Sequence, residues 1–379
     1  MIKKYFLAIT LLLSSLSTLA APKVSFLTCG PTDDDVFSLY GHTAIRVQQN
    51  GQDIVYNYGN FSLEQKNFIL NFTLGKPMYS LGVISFQDFL WEYSLQGRSV
   101  VEQELNLTET EAFLLADKLA WNALPENRDY QYNFYFDNCA TRPRDLLEEA
   151  IGGITYQLDS ATLPTFREAI REKSHTAVWY TMGADMCLGW KTDKQMTLQD
   201  AAFLPSYLEQ ELDSALRTDT NEPVVTNKIV WVEQSKKITN PYEKWRLPTF
   251  LFAILGILLV IRPTSKIQTL YRRVIYSLFG VGGLIIWFLA IVSEHPHTWP
   301  NANMLLMHPV WFILAFTTFN KEWTKANKWL YFGNFVAIVI YLLLGLFLQE
   351  LPKHLHMLAI AIAIDQYFLW KESRNQIDK

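Results

Sequence analysis

The chain is predicted to fold as an exported α+β domain followed by an α-helical transmembrane bundle of about five helices. Three observations carry that expectation. Lys3 and Lys4, an apolar run from Tyr5 to Leu13 and small residues ending at Ala20 make residues 1–20 a secretory signal peptide, cleaved before Ala21. Residues 21–246 mix β-branched and aromatic runs with amphipathic stretches. From Leu247 onward nearly every segment is apolar and charges retreat to short connections, so the mean hydropathy of +0.05 averages two unlike halves.

Within the exported domain, His42 in LYGHTAIRV opens a β-branched stretch, and DIVYNYG reads as the next strand of the same sheet. Tyr130 to Phe136 are strand-like and Asn138 is a candidate cap. Leu146, Leu147, Ala150 and Ile151 then recur at helical spacing until Gly152 and Gly153 stop the helix. From about residue 155 a helical elaboration is expected. It holds a helix over 164–173, a second over 198–216 interrupted at Pro205, and the strand-like run VVTNKIVWV.

The bundle occupies 247–371, with spans near 248–262, 274–292, 304–319, 329–349 and 355–370, several slightly short of the roughly 20 residues a bilayer requires. Arg262, Lys266, Arg272 and Arg273 fill the first connection and Lys321, Lys325 and Lys328 the third, which places both in the cytoplasm with the tail 372–379. The second and fourth connections hold only Lys353 as a strong base. Lys236, Lys237, Lys244 and Arg246 run against this orientation, but long translocated domains largely escape the charge rule. Asp365 is the only acid well inside a span, and snorkelling or helix pairing accounts for it.

The chemistry centres on Cys139, a thiol opening an amphipathic helix, where the helix N-terminus is expected to lower its pKa. The bland account of a free cysteine is a small buried hydrophobe, and of a lone histidine a satisfied core group. Together, Cys139 and His42 make a nucleophile and base. The imidazole also needs orienting. Asn57 is placed to accept the ring N–H, whereas Tyr58 is equally suited to packing. Three cysteines in an oxidising compartment leave two arrangements: Cys29 paired with Cys187, or all three reduced.

Charge limits the partners. The exported domain has 31 acidic against 20 basic residues, which excludes nucleic acid and anionic polymers and suits a phospholipid or protein substrate. There is no glycine-rich phosphate loop, CxxC or HExxH, so neither nucleotide nor structural zinc is implied and no cofactor is expected. Glu294, His295, His297 and His308 have metal-ligand chemistry, but their spacing matches no compact site.

GHTAIRV, VYNYGNF, RSVVEQELNLT and YNFYFDNCATRPRD resemble the signature blocks of the Lnb-type N-terminal periplasmic domain family, named for a bacterial lipoprotein N-acyltransferase. The likeness covers most of residues 24–210 and the following bundle. The order of histidine before Asn-Cys also resembles the permuted papain-like group (NlpC/LRAT-like). The resemblance implies a bacterial inner-membrane protein with its N-terminal domain in the periplasm. It further implies a Cys139 thioester formed from a phospholipid acyl donor, with His42 as base and a lipoprotein amine as acceptor. The helix start at Asn138, Cys139 and Ala140 would supply oxyanion donors. Arg142 and Arg144 would bind lipid phosphate, although Arg142 is as well placed to pair with Asp137 or Asp145. The loop from Glu294 to Asn303 resembles the HP…N pattern of the family's membrane portion, and His295 and Asn301 in it are expected to roof the site.

Three readings compete: an acyltransferase or acyl hydrolase on lipids, a periplasmic cysteine amidase or peptidase on wall peptides, and a noncatalytic membrane scaffold or sensor. The first benefits from every span. The second gains little from several.

Overall fold

The computed structural model describes residues 20–236, 247–261, 266–318 and 320–377. The expected signal peptide therefore lies almost entirely outside the described residues, as do Lys237, Lys244, Arg246 and Arg262.

Nine strands and fourteen helices run through the described residues. The strands are β1 (Lys23–Cys29), β2 (His42–Gln49), β3 (Gln52–Asn60), β4 (Met78–Ser85), β5 (Val100–Leu105), β6 (Asp129–Gln131), β7 (Ile154–Thr155), β8 (Leu216–Arg217) and β9 (Val225–Val232). Seven of them form one antiparallel sheet in the order β6-β4-β3-β2-β1-β5-β9. The run VVTNKIVWV is thus an edge strand of this sheet, paired with β5, and not part of a separate elaboration.

Strand alternation builds two cores. Val24, Phe26, Ile45, Val47, Tyr56 and Tyr58 pack on one side against α3 (Glu109–Asn122), α4 (Thr141–Ile151) and α8 (Pro205–Ser214). Leu27, Ala44 and Val55 pack on the other side against Phe86, Phe89 and Tyr93 of α2 (Phe86–Gln96). Arg46 is buried between strands, donating to both Glu102 oxygens at 3.0 and 2.9 Å and lying 3.5 Å over the Phe86 ring. Removing one partner of such a pair costs about 3–5 kcal/mol.

The remaining helices of this domain are α1 (Phe68–Thr73), α5 (Phe166–Ser174), α6 (Val178–Cys187) and α7 (Leu198–Ala201). Thr165 caps α5 through a capping box with Glu168, and Pro205 opens α8 where its missing N–H has no helical partner to lose.

The C-terminal region comprises α9 (Leu247–Val260), α10 (Lys266–Ile291), α11 (Asn303–Leu306), α12 (Val310–Thr317), α13 (Thr324–Phe347) and α14 (His356–Ile377). Two helices, Ile267–Ile291 and Thr324–Phe347, are long and apolar enough to cross a membrane. The span expected at 304–319 is divided at Met307–Pro309 into α11 and α12. Proline lacks the N–H that would continue the helix. Arg272, assigned above to a cytoplasmic connection, is instead inside α10 and buried, donating to Asp365 at 2.8 Å, while the Tyr276 hydroxyl donates to the same carboxylate at 2.7 Å. Helix pairing therefore accounts for Asp365.

Candidate active site

The segment before Cys139 is a tight turn and not the strand expected from Tyr130 to Phe136. Only Asp129–Gln131 pair in the sheet; Asn133 and Asp137 then exchange both backbone bonds, at 2.9 and 3.0 Å, and Asn133 Oδ1 accepts from the N–H groups of Tyr135 and Phe136. Asn138 locks the turn to the helix. Its amide donates to the carbonyls of Phe134 and Phe203 at 2.7 and 2.8 Å, and its Oδ1 accepts from Ala140 and Thr141 N–H at 2.7 and 3.0 Å.

Opposite this turn, His42 begins β2 and Asn57 lies on the neighbouring β3, where Ile45 is registered on Tyr56. The Asn57 Oδ1 is hydrogen-bonded to His42 Nε2, so the tautomer that satisfies the bond carries its proton on Nε2 and leaves Nδ1 with a lone pair. Cys139 is brought to the same place. A Cβ added to Gly59 would stand 3.5 Å from Cys139 Cβ and 3.8 Å from His42 Cε1. Thus Cys139, His42 and Asn57 form one cluster.

The backbone N–H groups of Thr43 and of Cys139 itself lie close enough to the thiol to favour its thiolate. Ala140 does not join them, because its N–H is already given to Asn138; this corrects the expected donor set. Burial pushes the Cys139 thiol up to about 11, against the pull of those two N–H groups and of the Arg98 charge. The helix N-terminus therefore does not deliver the lowered thiol pKa expected from sequence. Burial likewise pushes the His42 imidazole down to about 4, with the Asn57 bond opposing and Arg98 assisting. At neutral pH the two rest as a neutral thiol and a neutral imidazole.

The other expected site residues lie elsewhere. Tyr58 is buried, accepts from Asn122 Nδ2 at 2.8 Å and packs edge-on to Tyr130, so it is a core aromatic. Arg142 forms a bidentate pair with Asp137, one arm at 2.9 Å, and covers the Tyr130 ring at 3.9 Å. Arg144 is buried and donates to Asp145 and to the Gln199 carbonyl. Both guanidinium groups hold the protein together here, in place of the expected phosphate contact. All three cysteines are free, so the Cys29–Cys187 pairing is not made.

His295 and Asn301 separate in role. His295 Nε2 donates to the Phe72 carbonyl at 2.6 Å, and with Pro296 it lines a cavity that reaches Cys139. Asn301 is buried away from that cavity, donating to the carbonyls of Met186 and Cys187 at 3.0 and 3.1 Å. It clasps the end of α6 and contacts no open space, which corrects its expected place over the site. His297 packs within 4.7 Å of the Tyr135 ring and His308 stacks on Trp311, so these histidines do not converge. Among the described residues no group of three or more His, Cys, Asp or Glu side chains is placed to hold a metal ion.

The cavity has a volume of about 190 Å³ and is walled largely by aromatic rings, among them Phe37, Tyr79, Tyr132 and Phe134. Tyr79 and Tyr132 stack with centroids 4.2 Å apart beside the thiol. Trp179, Met182 and Trp190 do not line it.

Residues 17–172 match the family model of the Lnb N-terminal periplasmic domain, and residues 233–375 match that of the Lnb transmembrane domain. The chain belongs to the Lnb-type family. It is accordingly a membrane protein with a periplasmic N-terminal domain. No curated protein and no solved structure matches the chain.

With the two domains assigned, the cavity is seen to be built by both, since Cys139 comes from the periplasmic domain and His295 and Pro296 from a loop of the transmembrane domain. Gly189 N–H donates to the His297 carbonyl at 2.8 Å, Trp190 N–H to the Pro300 carbonyl at 3.0 Å and Glu294 N–H to the Leu74 carbonyl at 2.8 Å. Arg171 bridges Asp185 and Glu350 across the same junction. Sequence reading missed Gly59, the Thr43 N–H and Arg98. A glycine inside a strand signals a bulge or a close approach, and the register does shift between Asn57 and Asn60.

Proposed function

We propose that the protein is a cysteine-dependent acyltransferase that moves a fatty acyl group from a phospholipid to the terminal amine of a bacterial lipoprotein in the inner membrane. The observation that carries this reading is the apolar cavity running from the Cys139 thiol to a loop of the transmembrane domain. A wall peptide is polar and needs no such space. A fatty acyl chain does.

In the first half-reaction Cys139 Sγ attacks the ester carbonyl while His42 Nδ1 takes the thiol proton; the C–O bond then breaks and the imidazolium returns that proton to the departing lysophospholipid oxygen. In the second, the lipoprotein amine attacks the thioester, an amide C–N bond forms, the C–S bond breaks and one amine proton returns to sulfur through His42. The N–H groups of Thr43 and Cys139 stabilise the oxyanion of each tetrahedral intermediate. Asn57 keeps the ring oriented with Nδ1 free. A histidine strand, an asparagine on the next strand and a cysteine at a later helix start support a permuted papain-like arrangement. The succession α9, α10, α11–α12, α13 and α14 supports five spans.

Mass spectrometry of a lipoprotein's N-terminal lipopeptide tests this, in cells lacking N-acylation that express the wild type or Cys139→Ser. An added acyl group on the amine with the wild type alone is the expected result. Its absence with well-expressed wild type, or its presence with both, overturns the reading.

A further inference from the structure

The periplasmic domain carries an apolar patch that its own core does not use. On the short helix α1, Ile69 is 74% exposed, Leu70 56% and Phe72 37%, and Leu63 on the preceding turn is 70% exposed. Phe68 anchors the helix from beneath, stacked on Phe61 at 5.4 Å, so the other apolar side chains are turned outward by design of the packing. Burying each such aliphatic group would be favourable.

The position of α1 decides what covers it. Helix α10 ends at Ile291, and three residues later Glu294 N–H donates to the Leu74 carbonyl that follows α1. Lys76 pairs with the Glu294 carboxylate at 2.7 Å, and the His295 ring sits 5.5 Å from the Phe72 ring. The backbones meet so closely that a Cβ on Gly75 would stand 2.4 Å from His295 N, which only glycine permits. Thus α1 is fixed one short loop from the point where a transmembrane helix leaves the bilayer. The same loop holds Trp299 53% exposed, a residue suited to the membrane–water interface.

The patch also adjoins the mouth of the Cys139 cavity. Phe37 and Phe72 are the residues that both line the cavity and keep a large exposed surface, and Phe72 belongs to α1.

We propose that α1 is seated in the periplasmic leaflet of the membrane that the protein spans, with Leu63, Ile69 and Leu70 among the phospholipid acyl chains, and that a chain passes over the Phe37–Phe72 rim into the cavity. The second clause rests on the acyl-transfer reading of Cys139; the seating of α1 does not. The donor then reaches the thiol laterally without leaving the bilayer, which avoids exposing an acyl chain to water.

The test uses the full chain in phospholipid nanodiscs, with a nitroxide attached at Ile69→Cys in a Cys139→Ser background. A label at Trp91→Cys, equally exposed on α2, serves as control, and unsubstituted Cys139→Ser protein gives the labelling background. Relaxation by oxygen exceeding relaxation by a water-soluble nickel chelate at position 69, with the reverse at 91, is expected. A water-like label at 69 overturns the proposal, as does a label shielded from both reagents, which would mean a protein partner or a second copy on the patch. Separately, Ile69→Asp with Leu70→Asp in an otherwise unaltered chain should lower acyl transfer from nanodisc phospholipid at least tenfold and leave transfer from a soluble short-chain acyl ester within twofold. An unchanged bilayer rate overturns lateral entry. Wild type inactive on both donors would instead overturn the acyl-transfer reading and lateral entry with it, leaving the depth measurement to judge the seating of α1.

Discussion

Gly59 lies opposite Cys139, where an added carbon would stand 3.5 Å from the Cys139 Cβ in ordinary van der Waals contact, and its φ is +98°, a backbone conformation side chains rarely adopt. The demand for glycine beside the thiol and imidazole therefore comes from the backbone conformation and not from a lack of room. Gly59→Ala is expected to destabilise the protein by about 1–3 kcal/mol through backbone strain. It is also expected to reduce turnover at least tenfold, since small misplacements of reacting groups are amplified in rate. Thermal unfolding and acyl transfer measured on the same preparation check this; wild-type turnover in a folded Gly59→Ala protein would refute it.

The neutral resting pair has a pH signature. In the proposed mechanism the active form has an unprotonated His42, whose pKa is depressed to about 4, so kcat/KM should stay level through pH 6 and fall only near pH 4. Stability follows the same sign. The unfolded chain binds a proton at His42 below about 6.5 and the folded chain does not, so stability is lost as pH falls from there toward 4, by about 3 kcal/mol. Alkylation of Cys139 should rise toward pH 11. An acid limb near 6.5, or rapid alkylation at pH 6, would mean a thiolate–imidazolium pair instead.

Removing the base and removing its orienting group should differ in degree. His42→Ala removes the proposed proton acceptor and is expected to lower turnover by about 10²–10⁴ while leaving the fold intact. Asn57→Ala leaves the imidazole in place but frees its ring to rotate, so a smaller loss is expected, with the acid limb shifted further down because the Asn57 bond raises the His42 pKa. Parallel pH–rate profiles of the two variants and wild type separate these roles.

Much of this arrangement is legible in the sequence because it depends on local pattern. The β-branched run after His42, the YNYGN strand and the Asn-Cys helix start announce their elements directly. What escapes is long-range. The Thr43 N–H comes near the thiol because β2 begins where the Asn133–Asp137 turn returns, and no spacing in the chain encodes that meeting. Arg98 influences both Cys139 and His42 from the start of β5 while donating to the Gly30 carbonyl at 2.7 Å, and as a lone arginine after a glycine it carried no signal. The thiol's raised pKa was missed for a related reason: helix position is readable, whereas desolvation by rings from β4 and the following turns is not. Arg272 looked like a loop cation because its partner, Asp365, lies 93 residues away.

Asn301 joins the two domains through four hydrogen bonds of one buried side chain. Its amide donates to two carbonyls at the end of α6, and its Oδ1 accepts from Asn303 N–H at 2.9 Å and from Gln349 Nε2 at 3.2 Å. Asn301→Ala takes the partner from the Cys187 carbonyl and the Asn303 N–H, at about 1–3 kcal/mol for each one left unpaired, whereas the Met186 carbonyl keeps Asn303 Nδ2 and Gln349 Nε2 keeps the Leu188 carbonyl. The loop that carries His295 and Pro296 would then lose its fixed position over the cavity while Cys139, His42 and Asn57 keep theirs. The expected outcome is a lowered unfolding temperature and a raised KM for bilayer phospholipid, with the pH–rate profile unmoved and turnover of a soluble short-chain ester nearly unchanged. A residue that bound substrate directly would raise KM without lowering the unfolding temperature, so that result would return Asn301 to the substrate site.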